Sequence, residues 1–280
     1  MSKNKKKLKY FFRRLFAVIA VLVLVWWYNN YTLKINKTAI LSDKISSNIR
    51  IALISDMHAT KYGISNSNII GKVNKIEPDV IFVLGDMYTR ESKWDLMEIP
   101  INLMKSFVED GYPVYFVAGD HDRYERYFNT LENNGVHVMN YNEETVNIKG
   151  NNLKIMGIDN AYYSSTFDLT NEFSLDENCY NILLAHIPNY SKFAQFGADL
   201  TVCADTHGGI VQLPFIGAVY DALNKNWLPK LTSNEPLYDK GWFTYNGGAM
   251  FITSGIGAYP VPARFNNRPE VVSVDIIPKE

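Results

Sequence analysis

The chain repeats one local pattern three times in its first half: an apolar, β-branched run, a short acidic or histidine-bearing turn, and a helical stretch. The three runs with their turns are IRIALISDMH, VIFVLGDM and VYFVAGDHD. Between them, residues 66–76 and 94–108 carry apolar side chains at helical spacing. Continuous apolar strands that alternate with amphipathic helices are typical of parallel strands covered on both faces. The pattern therefore predicts an α/β fold.

Five later runs are strand-like but have fewer helices between them: LKIMGID, YNILLAHIP, DLTVCADTH, AMFITSGIG and EVVSVDII. We expect them to form a second sheet that packs on the first. Residues 31–48 are mixed and polar, which fits either a tether or a first edge strand. No internal boundary is visible after this segment, so residues 49–280 are predicted to form one domain.

The amino-terminal segment is basic and precedes an apolar run. Residues 1–14 hold seven Lys or Arg and no acidic residue, and residues 15–28 (LFAVIAVLVLVWWY) are apolar throughout. Fourteen helical residues rise about 21 Å, short of a hydrocarbon core of about 30 Å. Counted from residue 10, the helix is long enough, with an arginine pair and a Trp-Trp-Tyr group at the two interfaces. We therefore predict a transmembrane signal anchor at residues 15–30; a cleaved signal peptide and a buried helix of the main domain are the alternatives.

The charge distribution predicts a topology and excludes one class of partner. By the positive-inside rule, the basic segment lies in the cytoplasm and the domain on the extracytoplasmic side of the cell membrane, after a single pass. Beyond residue 14 the chain carries 21 basic against 29 acidic residues, so no nucleic acid partner is expected. Cys179 and Cys203 lie in apolar surroundings and are interpreted as buried thiols rather than a disulfide. No pattern specifies an oligomeric state.

Polar residues directly follow the predicted strands. They comprise four of the five histidines of the chain and five aspartates: Asp56, His58, Asp86, Asp120, His121, Asp122, His186, Asp205 and His207. The short loops beyond the carboxyl ends of strands converge on one crevice in open α/β sheets. One transition-metal ion takes three or four protein ligands, whereas a pair of ions about 3.5–4 Å apart that share a carboxylate would use such a set. The sequence therefore predicts a two-metal site, and the fifth histidine, His137, is interpreted as an ordinary strand residue.

Five of these blocks resemble, in order, those of the calcineurin-like metallophosphoesterases. The blocks are D-M-H at 56–58, G-D at 85–86, G-D-H-D at 119–122, A-H at 185–186 and A-D-T-H-G-G at 204–209. The tail SGIGAYPVPARFNNRPEVV is similar to that of the membrane-associated, YkuE-type phosphodiesterase branch of the family. The resemblance implies a metallophosphoesterase-type core, a two-sheet β-sandwich flanked by helices in four αββα layers.

The resemblance also implies a role for each site residue. The first metal would be held by Asp56, His58, Asp86 and His207. The second would be held by the bridging Asp86 with Asp120, His186 and Asp205. His121 matches the acid-base histidine beside the leaving group, and Asp122 matches the carboxylate that orients it.

Two positions of the second site depart from the family pattern. Asp120 stands where the family has Asn, and Asp205 where it has the first His of G-H-x-H. Oxygen-rich, anionic sites suit Mn²⁺, Mg²⁺ or Ca²⁺ better than Zn²⁺. We expect two divalent ions, with Mn²⁺ favoured and Mg²⁺, Ca²⁺, Fe²⁺ or Zn²⁺ as alternatives. The added negative charge should raise the pKa of the bridging water and move activity toward alkaline pH.

The expected activity is two-metal hydrolysis of a phosphoester, with a bridging hydroxide as nucleophile and a phosphodiester as the favoured substrate class. A lipid-linked or cell-envelope phosphodiester would suit a membrane-anchored enzyme, and residues 210–240 (IVQLPFIGAVYDALNKNWLPKLTSNEPLYDK) form a candidate cap or simply pack over the sheet edge. The alternative is a non-catalytic, membrane-tethered metal-binding or interaction protein on the same scaffold, because the two departures could abolish turnover.

Overall fold

The structure is a computed structural model that describes residues 3–159, 167–221, 223–234, 236–260 and 262–279. Parts of three predicted segments lie outside these residues, namely Met1 and Ser2 of the basic segment, Ala222 and Glu235 of residues 210–240, and Val261 of the tail. The helices are α1 (Lys3–Tyr31), α2 (Asn66–Ile76), α3 (Trp94–Glu109), α4 (Glu125–Asn133), α5 (Tyr190–Phe196) and α6 (Pro229–Thr232).

Sixteen strands are described. In the first half of the chain they are β1 (Lys34–Ser42), β2 (Ile49–Ile54), β3 (Val80–Val83), β4 (Val114–Phe116), β5 (His137–Val138), β6 (Asn142–Ile148) and β7 (Asn151–Ile158). In the second half they are β8 (Tyr180–Ala185), β9 (Leu200–Cys203), β10 (Gln212–Leu213), β11 (Gly217–Ala218), β12 (Tyr220–Asp221), β13 (Asn226–Trp227), β14 (Gly241–Tyr245), β15 (Gly248–Ile252) and β16 (Glu270–Pro278).

The strands form two mixed six-stranded sheets and two small hairpins. The first sheet has the order β1-β16-β2-β3-β4-β5, and the second has the order β14-β15-β9-β8-β7-β6. In the first sheet only the β16–β2 pair is antiparallel, and in the second the antiparallel pairs lie at the two edges. The hairpins are β10–β11 and β12–β13.

Three apolar clusters show how the layers pack. One lies between the two sheets and joins side chains such as Leu53 and Phe82 of the first to Ile182 and Val202 of the second. A second fills the space between the first sheet and helices α2, α3 and α4, and a third lies between the second sheet and α5. Helices therefore cover the outer faces of a two-sheet core, which is the α/β layer arrangement predicted from the sequence.

The predicted strand–turn–helix units are present at the predicted places. Strand β3 is buried at every position, which matches its uninterrupted apolar sequence. Helix α2 begins after Ser65, whose side chain accepts a hydrogen bond from the Asn68 amide, and it buries Ile69, Val73 and Ile76 against the first sheet. These units place the ends of β2, β3 and β4 at one edge of the first sheet.

Two expectations about strands change in the structure. The run EVVSVDII was expected in the second sheet, but it forms β16, which lies in the first sheet between β1 and β2. Of the two interpretations of residues 31–48, the structure has the edge strand: β1 pairs in parallel with β16 over nine residue pairs. Of residues 31–48, Lys34–Ser42 is therefore part of the first sheet.

The amino-terminal helix α1 ends against the domain. Its large apolar side chains from Leu15 to Tyr28 are exposed. None of the helices in the described residues is both long and apolar enough to cross a membrane, so the transmembrane anchor expected at residues 15–30 stays a prediction. At the end of the helix, Asn30 exchanges two hydrogen bonds with the backbone of Arg264, and Asn29 accepts one from the amide of Asn266.

Candidate metal centre

Both sheets contribute side chains to one cluster. In the first sheet, Asp56 and His58 follow β2, Asp86 follows β3, and Asp120 to Asp122 follow β4. In the second sheet, His186 follows β8 directly, and Asp205 and His207 follow β9. Because the two sheets pack face to face with these strand ends at the same edge, residues up to 151 positions apart in sequence come together.

Five of the seven predicted metal ligands have a left-handed backbone. Their φ angles lie between 40° and 67°, and they are Asp56, His58, Asp86, Asp205 and His207. Residues other than glycine seldom adopt this conformation, which costs of order 1–3 kcal/mol each and clusters at functional sites. The left-handed conformation changes the direction of the chain sharply at the end of each strand. This conformation could not be predicted from the sequence.

The ligand atoms fall into two groups with Asp86 between them. One group contains Asp56, His58 and His207, and the other contains Asp120, His186 and Asp205; within each group the atoms lie within 4.8 Å of one another. Asp86 Oδ2 lies 3.6 Å from His58 Nε2 and 3.4 Å from His186 Nε2. The structure therefore brings the seven predicted ligands together around Asp86. Their division between two cations stays a prediction, because Asp56, Asp86 and His186 form a further group of the same kind.

The unpartnered atoms of this cluster are those that a cation would bind. Both ring nitrogens of His58 and Nε2 of His186 are buried without a hydrogen-bond partner. Buried nitrogens left unpaired are costly, and the aspartates packed beside them repel one another in a low-dielectric site. A pair of divalent cations would satisfy one ring nitrogen of His58 and Nε2 of His186 and would offset the repulsion between the aspartates, so the residues present fit the expected metals.

Burial keeps two of the histidines in the form that binds metal. It lowers the pKa of His58 to about 3 and that of His207 well below its ordinary value. Both rings are therefore neutral at physiological pH, with a lone pair available for a cation. Burial acts in the opposite direction on carboxyls and raises the pKa of Asp56 to about 6 and that of Asp205 to about 7.

His186 and Asp86 behave as a charge pair. Burial lowers the pKa of His186, but the carboxylates of Asp86, Asp56 and Asp205 outweigh burial and hold that pKa well above its ordinary value. Burial raises the pKa of Asp86, but His186 and His58 outweigh it and leave that pKa below its ordinary value. Without metal, a proton on His186 Nε2 therefore offsets the aspartates, and a bound cation would displace that proton. Its Nδ1 is fixed by a bond to the Leu84 carbonyl oxygen.

The ring of His121 is positioned by backbone rather than by a carboxylate. The amide of Arg90 donates to His121 Nδ1 at 3.0 Å, so in the neutral ring the proton resides on Nε2. In the part of the chain that the structure describes, no hydrogen bond joins Asp122 to this ring. The expectation that Asp122 orients His121 therefore needs correction.

Asp122 instead holds the loops of the metal site together. Its buried carboxylate accepts hydrogen bonds from the amides of Asp86, Met87 and Gly119, at 2.5, 3.2 and 3.1 Å. It thereby joins the turn after β3 to the turn after β4. Burial raises the pKa of this carboxyl to about 7, since the amide bonds only partly compensate.

Two residues of the site were not found from the sequence. Arg264 is fully buried, donates to the carbonyl oxygens of Ser254 and Gly257 at 2.6 and 2.7 Å, and lies 3.4 Å from His207 Nδ1. Tyr259 stacks on His58 with ring centroids 4.4 Å apart and meets the ring of His121 edge-on at 5.0 Å. Both lie in the tail whose resemblance was noted, but neither follows a strand, so the search for strand-end ligands passed over them.

A cavity of about 230 Å³ opens over the cluster. It is lined by Asp86, Asp120, His121, Asp205, His207 and Tyr259 among others. Ile210 and Tyr220 from the candidate cap also line it, so the start of that segment forms part of the cavity wall. Phe215, between these two residues in sequence, is exposed, as are Trp227 and Leu231 farther along.

Comparison with known proteins places the same residues in a family context. The sequence profile of the calcineurin-like phosphoesterases matches residues 49–209. A metallophosphoesterase of Helicobacter pylori J99 is 25% identical over 263 residues, which cover 88% of this chain and 64% of the relative. The metallophosphoesterase YkuE of Bacillus subtilis 168 is 23% identical over 235 residues, covering 79% and 77% of the two chains. The NAD nucleotidase structure of Haemophilus influenzae aligns with a TM-score of 0.46 and 16% identity, over 75% of this chain and 45% of that one.

Proposed function

The chain belongs to the calcineurin-like phosphoesterases, and we propose that it is a metal-dependent enzyme that hydrolyses a phosphodiester at a centre of two divalent cations. The observation that carries the proposal is the convergence of seven ligating side chains from both sheets into two groups with Asp86 between them. The chain spans 64% of the length of the Helicobacter relative.

Each group of side chains has a defined part in this proposal. Asp56, His58 and His207 would hold one cation, Asp120, His186 and Asp205 the other, and Asp86 both. Two bound cations polarise the phosphoryl group and make a coordinated water more acidic. His121 lines the same cavity, and its Nε2 proton, fixed by the Arg90 amide on Nδ1, is available for the leaving oxygen.

We further propose that the two departures from the family pattern retune the second cation site. A carboxylate oxygen of Asp120, one of Asp205 and a ring nitrogen of His186 lie within 4.8 Å of one another, which supports oxygen ligation of a cation at positions 120 and 205. With the shared Asp86, the resulting site has three carboxylates and one imidazole, a donor set that suits Mn²⁺ or Mg²⁺ better than Zn²⁺.

The location and the substrate class are also proposals. The exposed apolar surface of α1 and the basic segment before it support attachment to a membrane with the domain on the extracytoplasmic side. A lipid or cell-envelope phosphodiester would then be the substrate within reach.

The test is hydrolysis of bis(p-nitrophenyl) phosphate by the full-length protein with Mn²⁺, Mg²⁺, Zn²⁺, Ca²⁺ and Fe²⁺ in turn. We expect metal-dependent turnover that falls at least about 100-fold in His58→Ala and in Asp86→Asn, because each removes a cation ligand. His137→Ala is the matched control, since this half-exposed histidine pairs with Glu144 away from the cluster. Metal binding without any turnover between about pH 6 and 10 would favour a non-catalytic binding protein, the alternative that the two departures support.

A further inference from the structure

A second cavity adjoins the metal cavity. It has a volume of about 200 Å³ and shares His58 and Pro260 with the cavity over the metal cluster. Tyr259 lines the metal cavity between Ala258 and Pro260, which line the second one. The two spaces therefore meet at the stacked rings of Tyr259 and His58, and we call the second space the side groove.

The walls of the side groove are apolar or neutral. Its described lining contains no Asp, Glu, Lys or Arg, and its apolar side chains are those of Met57, Ala59, Ile64, Ile256, Ala258, Pro260 and Pro262. The metal cavity, in contrast, is lined by several carboxylates. A charged substituent placed in the side groove would lose hydration without gaining a partner, whereas an apolar one would be removed from water.

The two rings at the entrance of the side groove also lie next to His121. The ring of His121 is 4.9 Å from that of His58 and 5.0 Å from that of Tyr259, measured between centroids. An ester substituent that extends from a phosphoryl group over the cations and past these rings would enter the side groove. Asn30 and Tyr31, the last residues of the apolar helix α1, also line the groove.

We propose that the side groove binds an uncharged, apolar ester substituent of the substrate, and that Tyr259 is the substrate contact at its entrance. This assignment rests on the proposed phosphodiesterase function and adds to it the chemical class of one ester group. It selects phosphodiesters of apolar alcohols over those whose corresponding group carries a charge.

A series of p-nitrophenyl alkyl phosphodiesters tests the assignment with the full-length protein and Mn²⁺. Full burial of one methylene is worth about four-fold in binding, so kcat/KM should rise at least about ten-fold from the methyl to the hexyl ester. An ester of equal length that ends in a carboxylate should react at least about ten-fold more slowly than the hexyl ester. Methyl and hexyl esters that differ by less than about two-fold would overturn the assignment while leaving the proposed hydrolase function intact.

Two variants place the effect in the side groove. Tyr62 lines it and is 88% exposed, so Tyr62→Glu should not disturb folding; Ile64→Glu changes a more buried wall residue. In both variants, the ratio of kcat/KM for the hexyl ester to that for the methyl ester should fall at least about three-fold. The conservative variant Ile64→Leu should keep the wild-type ratio. Leu41→Glu, on the distant edge strand β1 and 63% exposed, is the matched control and should keep the wild-type ratio. An unchanged ratio in both groove variants would contradict the assignment, and no metal-dependent hydrolysis of any ester would overturn it together with the proposed function.

Discussion

Close backbone approach is what lets Asp86 sit between the two ligand groups. A Cβ atom built on Gly119 would lie 2.1 Å from Asp86 Oδ1 and 2.6 Å from the Asp86 amide nitrogen, far inside van der Waals contact. Only glycine therefore fits at this position. The amide of the following residue but one, His121, donates to the same Oδ1 at 2.9 Å, so the turn after β4 both makes room for the carboxylate and holds it.

The substitution Gly119→Ala tests this requirement. We expect the added methyl group to displace Asp86, to weaken metal binding at least about ten-fold by isothermal titration calorimetry, and to lower the free energy of unfolding by about 1–3 kcal/mol. Gly71→Ala is the control, because a Cβ there meets nothing within 4 Å in the middle of α2. Tight metal binding by Gly119→Ala would show that the position of Asp86 does not matter for the site.

Metal preference should follow the charge of the second ligand group. The double variant Asp120→Asn with Asp205→His replaces two carboxylates by an amide and an imidazole. Zn²⁺ should then gain on Mn²⁺ at least about ten-fold in competition binding, and the pH optimum of hydrolysis should move down, because less negative charge opposes ionisation of the water. Unchanged selectivity would remove the retuning account of these two positions.

At the residue scale, the sequence predicted ligands better than it predicted their supports. The clustering of the seven candidate ligands could be predicted because side chains of ligating type directly follow apolar strands. The contact between the Arg90 amide and His121 could not be found, because a backbone donor leaves no residue signature. For Asp122 the residue was found but its role was wrong, since its partners are three amides fixed only by the folded loops.

At the scale of elements, the buried carboxylate of Glu270 connects the edge strand β1 to the loop that follows β15. Glu270, at the start of β16, forms an ion pair of 2.9 Å with Lys34 of β1 and accepts a hydrogen bond from the Ser254 amide at 3.1 Å. Burial raises the pKa of Glu270, but Lys34 and the bonds from Ser254 outweigh burial and leave it below the ordinary value of 4.5. The folded state therefore favours the charged form of Glu270.

This shift gives a pH dependence with a definite sign. A carboxyl with a depressed pKa in the folded state stabilises fully above its unfolded pKa, and this stability is lost as the pH falls below about 4.5. Glu270→Gln should lower the free energy of unfolding by about 1–3 kcal/mol at pH 7, and the difference from wild type should shrink at pH 3 in urea titrations. The control Glu109→Gln, an exposed i,i+4 partner of Lys105, should cost less than about 0.5 kcal/mol. A difference that grows in acid would contradict the sign.

The placement of whole strands was only partly predictable. Helices α2 and α3 were expected at 66–76 and 94–108 and lie at Asn66–Ile76 and Trp94–Glu109, because helical periodicity is a local signal. Strand β16 was recognised as a strand but expected in the wrong sheet. Its first five residues are buried, so its sequence fits a central position in either sheet, and only pairing with β1 and β2 decides between them.

For the whole molecule, the pairing of β1 with β16 predicts how much of the chain the fold needs. A chain that begins at residue 48 lacks the nine-residue parallel pairing with β16 and the ion pair to Glu270. We expect its free energy of unfolding to be at least about 3 kcal/mol lower than that of a chain that begins at residue 28, which keeps these contacts. Urea unfolding of the two purified chains measures the difference, and equal midpoints would mean that β1 contributes nothing to the core.

The hydrogen bonds at the end of α1 also limit how the helix can move. Asn30 and Asn29 grip the backbone of Arg264 and Asn266, and the guanidinium of that arginine reaches within 3.4 Å of His207. A tilt of α1 would therefore also move Arg264 and, through it, His207 of the candidate metal centre, because no flexible linker separates the helix from these residues. A surface that immobilises the helix would therefore also set the distance and the orientation of the cavity over the metal cluster relative to that surface.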